Sequence, residues 1–292
     1  LKFTPIIEIS EGATITPASG VAQDFSNNKK VTYTVTAEDG TVKVYTAFVE
    51  GTRKVLKYSF EDWKEGTKND ELLPKDLWAG SAAGAGILGG TLLRKETRED
   101  GTYAAKLITF EYPNEPNSLV PKITAGSIFI GNFDMMPALQ GDRLSCTKFG
   151  LDAETVSLGG KPLRFKGVYK YESGSNYLDA SNYEDVKPVD IKDKGQIQAV
   201  LYKVQTGEDG KEIVLTGHDV NTSELRVAVA NIIVEDIKEY TPFNIEFEYL
   251  QEYDRTAKYK FAIICSSSKD GDLFKGAGGS TLIVDEFEVI CE

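Results

Sequence analysis

The chain has 292 residues, a formal net charge of −12, one histidine and three cysteines. An acidic surface repels phosphate backbones, and no basic patch relieves it, because Lys29–Lys30 and Arg94–Lys95 are isolated pairs; nucleic-acid partners are therefore not expected. One histidine argues against zinc sites built from several imidazoles and leaves any Ser-His or Cys-His catalysis to His218, which reads as an exposed turn residue in LTGHDVNTSE.

Residues 1–52 read as a unit of their own. Val31, Tyr33 and Val35 alternate with Thr32, Thr34 and Thr36; Glu38-Asp39-Gly40-Thr41 is a hairpin turn signal; and a return strand follows over Val42–Val49. Short strands broken by Gly12, Pro17 and Gly20 precede the hairpin, which suggests a small β-sandwich. Gly51-Thr52-Arg53 is the expected junction, with a second domain over 53–292. The alternation continues there. Leu56, Tyr58 and Phe60 share one face before Glu61, Asp62 and Trp63. Further strands are expected at Ala104–Phe110, Pro162–Tyr171, Ile197–Val204, Arg226–Val234, Phe243–Tyr249, Ala257–Cys265 and Thr281–Cys291. With no long helical period and no βαβ unit, the fold class is all-β: a small sandwich followed by a larger antiparallel one. The uncharged run Leu77–Leu93 carries five glycines, too short and too flexible for a bilayer helix.

In the last strand, period two puts Ile283, Asp285, Phe287, Val289 and Cys291 on one face and Leu282, Val284, Glu286, Glu288 and Ile290 on the other. Asp285 thus falls among apolar residues, where a bare carboxylate needs a partner. Cys265 and Cys291 read as unpaired core cysteines; a hairpin between their strands, about the Lys269–Gly279 loop, would hold them apart.

Several segments carry resemblances. ISEGATITPASGVAQDFS…VTYTVTAEDGTVKVYT resembles bacterial immunoglobulin-like repeats, which implies an immunoglobulin-like first domain acting as a spacer. YSFEDW, Leu77-Trp78-Ala79-Gly80, AAKL, PKITAGSIFIGNFD, SCTKFG, LRFKGVYKY and KYKFAIICSSSKDGDLFKGAGGSTLIVDEFEV together resemble the putative carbohydrate metabolism domain family, over most of 55–292. That resemblance implies a jelly-roll sandwich in a sugar-linked protein of the cell envelope, secreted or tethered as an outer-membrane lipoprotein. It brings no catalytic residues and no required cofactor. The chain opens at Leu1 already in a strand-like segment, as expected of a mature or trimmed chain, which leaves a removed targeting sequence open.

Sugars are held by aromatic faces and fixed polar groups. The candidate carbohydrate-binding residues are Trp63, Trp78, Lys148, Tyr169, Tyr171, Ser268, Lys269 and Asp270, with Gly167 leaving a hollow beside the two tyrosines; ordinary inter-sheet core is the competing reading of those aromatics. The terminal strand, Gly279-Ser280-Thr281 followed by three apolar residues and Asp285, resembles that of jelly-roll carbohydrate-binding modules, which implies a structural calcium on Glu61 and Asp285, completed by Asp62 or backbone carbonyls. Backbone amides or a lysine are the alternative partners for Asp285. A glycoside hydrolase, needing two carboxylates, stays open as a second function, with Asp134, Asp270 and Asp272 the acids to inspect. A structural surface protein that binds another envelope protein is the third.

Overall fold

The computed structural model describes residues 2–26, 29–49, 53–117 and 120–292; Gly51 and Thr52 of the expected junction lie outside the described residues. The chain divides into two compact units, Leu1–Arg53 together with Glu292, and Lys54–Cys291. In the first, Val31–Thr36 pairs with Val42–Ala47 and with Thr14–Thr16, and Lys2–Phe3 pairs with Gln23–Asp24. Gly40, at φ 84°, makes the turn between the two long strands, where Thr41 donates its amide to Asp39 Oδ1 at 2.8 Å. Phe25 and Tyr33 are its buried large side chains.

The second unit is a β-sandwich. One sheet runs Leu93–Thr97, Tyr103–Ile108, Thr281–Cys291, Pro162–Glu172 and Ile237–Glu246 in spatial order, and Lys54–Tyr58 joins it along the last strand. The facing sheet is built on Ser127–Phe133, Tyr259–Ser266, Gly195–Lys203 and Arg226–Val234. Phe165, Phe243 and Phe287 from the first sheet meet Ile197, Leu201, Phe261 and Ile263 from the second in one core. The expected strand Phe243–Tyr249 is two strands: Ile237–Glu246 lies in the first sheet and Glu248–Tyr249 in the second, so the chain changes sheets at Phe247.

The last strand departs from simple alternation. Leu282 and Val284 face the core, and so do Phe287, Val289 and Cys291. The pattern restarts one residue late because Glu286 and Phe287 together oppose Gly167: the register passes from Lys166 opposite Glu288 to Val168 opposite Asp285. This is a β-bulge, and Glu286 occupies its left-handed position at φ 55°. The same two residues mark a handover along the strand's edge. Residues 281–284 pair with Tyr103–Ile108, and 287–291 pair with Lys54–Tyr58. The assignment of Leu282 and Val284 to the face of Glu286 and Glu288 is therefore corrected by the bulge.

The expected hairpin between the Cys265 and Cys291 strands is also corrected. Tyr259–Ser266 pairs with Gly195–Lys203 and Ser127–Phe133, whereas Thr281–Cys291 belongs to the opposite sheet. The intervening loop crosses between sheets. All three cysteines are buried and unbridged.

Candidate functional site

The segment Lys54–Asp62 builds the most distinctive cavity of the second unit. Its alternation buries Tyr58 and Phe60 against Trp78, with ring centroids 5.4 and 5.3 Å away. Phe60 then takes a left-handed backbone, φ 46°, and packs edge-on to Phe287 at 5.2 Å. A non-glycine residue enters that region only at an energetic cost that surrounding packing must offset. The consequence is that Glu61 and Asp62 emerge on the surface directly beyond a buried aromatic. Opposite them lie Leu73–Trp78 and Leu151–Ser157, the latter ending on a second left-handed residue, Ser157, at φ 56°.

These three segments enclose about 390 Å³. The deep wall is apolar and aromatic, with Tyr58, Phe60, Trp78 and Val156 buried. The rim is polar: Glu61, Asp62, Asp76, Thr155 and Ser157 are exposed. Glu61 accepts the Tyr103 amide through both oxygens, at 3.2 and 3.3 Å. Asp62 and Asp76 make no side-chain hydrogen bond or ion pair among the described residues. The lining lysine, Lys57, is held 2.9 Å from Glu288. Tyr58, only 9% exposed, has a hydroxyl with no partner among the described residues, and burial pushes its phenol well above its ordinary pKa. A second cavity, about 350 Å³, lies beyond Trp78 under the Trp63–Leu72 hairpin. It is fixed by Asn69, which accepts the Leu92 and Leu93 amides at 2.6 and 3.0 Å, and by buried Asp70, which accepts the Lys95 amide at 2.8 Å.

The structure scatters the residues that the sequence singles out for sugar. Tyr171 is core, 2% exposed, with its hydroxyl donating to the Ser267 carbonyl at 3.0 Å. Tyr169 is half-buried and leans on Phe243. The hollow expected at Gly167 is filled, since a Cβ there would lie 2.5 Å from the Phe287 ring and 2.8 Å from that of Phe243. Ser268 is fully buried and donates to Asp193. Lys148 pairs with Asp134 at 3.5 Å, opposite Asn132 at one end of Ser127–Phe133, while Ser266 faces Ser127 at the other end. Lys148 and the 268–270 loop are thus roughly 17 Å apart along that strand. Lys269 pairs with Asp270, which also accepts the Tyr177 hydroxyl at 3.0 Å. Trp63 donates its indole N–H to the Phe60 carbonyl at 2.6 Å. Of the eight, Trp78 alone lines the larger cavity.

The paired role expected for Glu61 and Asp285 is corrected too. Asp285, 2% exposed, receives the Arg98 guanidinium, which also contacts Glu286 and lies 4.6 Å over the Tyr240 ring. The charge that calcium was expected to answer is answered by arginine. Among the described residues, no group of three or more acidic, histidine or cysteine side chains is placed to hold a metal ion. Asp76 and Asp193 are the residues that sequence reasoning missed. Asp76 sits in a Pro-Lys-Asp turn beside the noted Leu77-Trp78 motif; nothing in the hydrophilic run DIKDKG distinguishes Asp193.

Residues 29–290 match the family described as "Putative carbohydrate metabolism domain", and residues 1–49 match "SGBP, N-terminal". The chain belongs to the putative carbohydrate metabolism domain family. Among solved structures, this family member is similar to a putative glycoside hydrolase from Bacteroides thetaiotaomicron VPI-5482, with 32% identity, a TM-score of 0.69, and coverage of 97% of this chain and 84% of that one. It is also similar to a putative glycoside hydrolase from Bacteroides vulgatus ATCC 8482, with 28% identity, a TM-score of 0.67, and coverage of 81% of this chain and 98% of that one. No curated protein matches it in sequence.

The domain's buried tyrosines make a test of the core in solution. Burial raises the phenols of Tyr58, Tyr171, Tyr177 and Tyr202 above the ordinary value of 10.0, and pushes Tyr240 up to about 12. In the unfolded chain these groups lose their protons near pH 10, and in the folded domain they keep them, so rising pH favours the unfolded state. Urea midpoints should hold steady up to about pH 9 and fall steeply above pH 10. A flat profile through pH 11 would contradict this packing.

Proposed function

We propose that this chain is a carbohydrate-binding protein of the bacterial cell envelope, and that it holds a glycan in the cavity between Tyr58–Asp62, Leu73–Trp78 and Leu151–Ser157. The observation that carries this reading is the pair of uncommitted carboxylates, Asp62 and Asp76, at the mouth of a cavity with a buried apolar wall. A sugar ring offers hydroxyl donors to the acids and C–H surface to the apolar groups, and a site needs both for orientation and affinity. Both relatives being putative glycoside hydrolases supports a sugar ligand. Placement at the envelope is supported by the small separate β unit ahead of the sandwich, which suits a spacer; fractionation of host cells tests it.

Glycoside hydrolysis is the second reading, favoured by the three carboxylates, Glu61, Asp62 and Asp76, that share the cavity. A glycan array followed by calorimetry on the best ligand tests the first. Asp62→Ala and Asp76→Ala are each expected to weaken binding about tenfold, the worth of one charge-assisted hydrogen bond, with melting temperature unchanged because both side chains are exposed and unpaired. Release of reducing ends from the same ligand would select hydrolysis instead. Binding that is untouched by both substitutions would move the site elsewhere.

A further inference from the structure

The charge inventory of this cavity goes further than the presence of a site. Three carboxylates line it: Glu61, Asp62 and Asp76. One cation lines it, Lys57, and that ammonium is 2.9 Å from Glu288 and already committed. Glu61 takes an amide N–H from Tyr103, which leaves its charge in place. The remaining polar groups of the lining side chains are neutral: the hydroxyls of Ser59, Thr155, Ser157 and Tyr58, and the indole N–H of Trp78. The deep wall is independent of the acids: Phe60, Trp78 and Val156 are buried there and present an apolar, aromatic surface. Such a surface takes the C–H face of a sugar ring and offers no counter-charge to an acidic group.

We infer that the site selects glycans that carry no acidic groups: neutral hexose or pentose chains enter, and uronate- or sulfate-bearing chains are refused. This rests on the reading of the cavity as the glycan site. A neutral hydroxyl donates to Asp62 or Asp76 and strengthens that contact as water is displaced. A uronate carboxylate in the same place meets like charges on the rim, brings no donor for them, and finds no uncommitted cation among the described lining residues. Like-charge juxtaposition at such separations weakens binding by about tenfold or more. The selection is built from repulsion of the wrong ligand as much as from attraction of the right one.

The test is calorimetry on the full chain with the neutral oligosaccharide that binds best on an array and with uronate-containing oligosaccharides of the same length, at low and high salt. The neutral ligand is expected to bind at least about tenfold more tightly at low salt, with the gap narrowing as salt screens the rim. In an Asp62→Asn/Asp76→Asn variant, which keeps side-chain acceptors and removes two charges, the gap should narrow again without added salt. Equal or tighter binding of the uronate ligand by the unaltered protein would overturn the selectivity and leave the glycan site standing. Binding of neither ligand class would overturn the site itself, and the selectivity with it.

Discussion

Replacing Asp193 with alanine is expected to cost the large unit about 3 kcal/mol or more. Asp193 is 2% exposed and has no cationic partner among the described residues; neutral donors satisfy its carboxylate instead. Oδ2 accepts the Ser268 hydroxyl at 2.5 Å, the Ser280 hydroxyl at 2.7 Å and the Ala277 amide at 2.8 Å, and Oδ1 accepts the Lys194 amide at 2.8 Å. Ser268 in turn meets Thr109, which meets Ser267, so one carboxylate ties three separate chain segments together. Gly276 lets the backbone approach: a Cβ there would lie 2.4 Å from the Ser268 hydroxyl. Burial pushes the Asp193 carboxyl above its ordinary value, against the four donors that hold it down. Removing the carboxylate strands the buried Ala277 amide and takes the charged acceptor from the buried Ser268 and Ser280 hydroxyls, which keep Thr109 and the Gly174 amide as partners, and each loss is costly. Urea titration should show a large drop in midpoint, while Asp190→Ala, at an exposed position three residues away, should fall within about 0.5 kcal/mol of the unaltered protein.

Arg98→Met is the second large effect, expected at about 3 kcal/mol near neutral pH. It leaves Asp285 buried beside Glu286 with its amide contact, Glu286 N at 2.7 Å, as the remaining support. The loss has a pH signature. Burial already holds the Asp285 carboxyl above its ordinary value despite Arg98, and removing the guanidinium raises it further. A carboxyl whose folded pKa lies above the unfolded one destabilises the fold progressively as pH rises through that window. Below the window both states are protonated and the penalty vanishes. The deficit of Arg98→Met should therefore shrink as pH falls toward 4, and Asp285→Asn in the same background should recover much of it. A deficit independent of pH would mean that Arg98 acts through packing on Tyr240 rather than through charge.

These two carboxylates show what one-dimensional reading reaches. Arg226–Val234 and Thr281–Cys291 form over the very residues expected, because periodic apolar residues report a half-buried strand directly. Asp285 was legible as anomalous, since strict period two sets it among Ile283, Phe287 and Val289. Its partner was not, because Arg98 lies 187 residues away in sequence and reaches it only through the handover at the bulge. The bulge leaves no mark in a window of alternating residues beyond a phase slip between Val284 and Phe287. The aromatics of Pro162–Glu172 have the composition of a sugar platform and the burial of a core, and composition does not separate the two. The cavity is assembled from three distant segments whose acids look like solvated turns until Phe60 and Ser157 bring them to one rim.

Tryptophan fluorescence reads the central claim directly, because the chain has two tryptophans, Trp63 and Trp78, and Trp78 lines the proposed glycan cavity. In a Trp63→Phe background, titration with the neutral glycan selected by an array should change Trp78 emission along a saturating curve whose Kd equals the calorimetric one, and Asp62→Ala/Asp76→Ala should abolish the change at the same ligand concentrations. Calorimetric binding with unchanged Trp78 emission, and with full affinity in the double variant, would contradict the account.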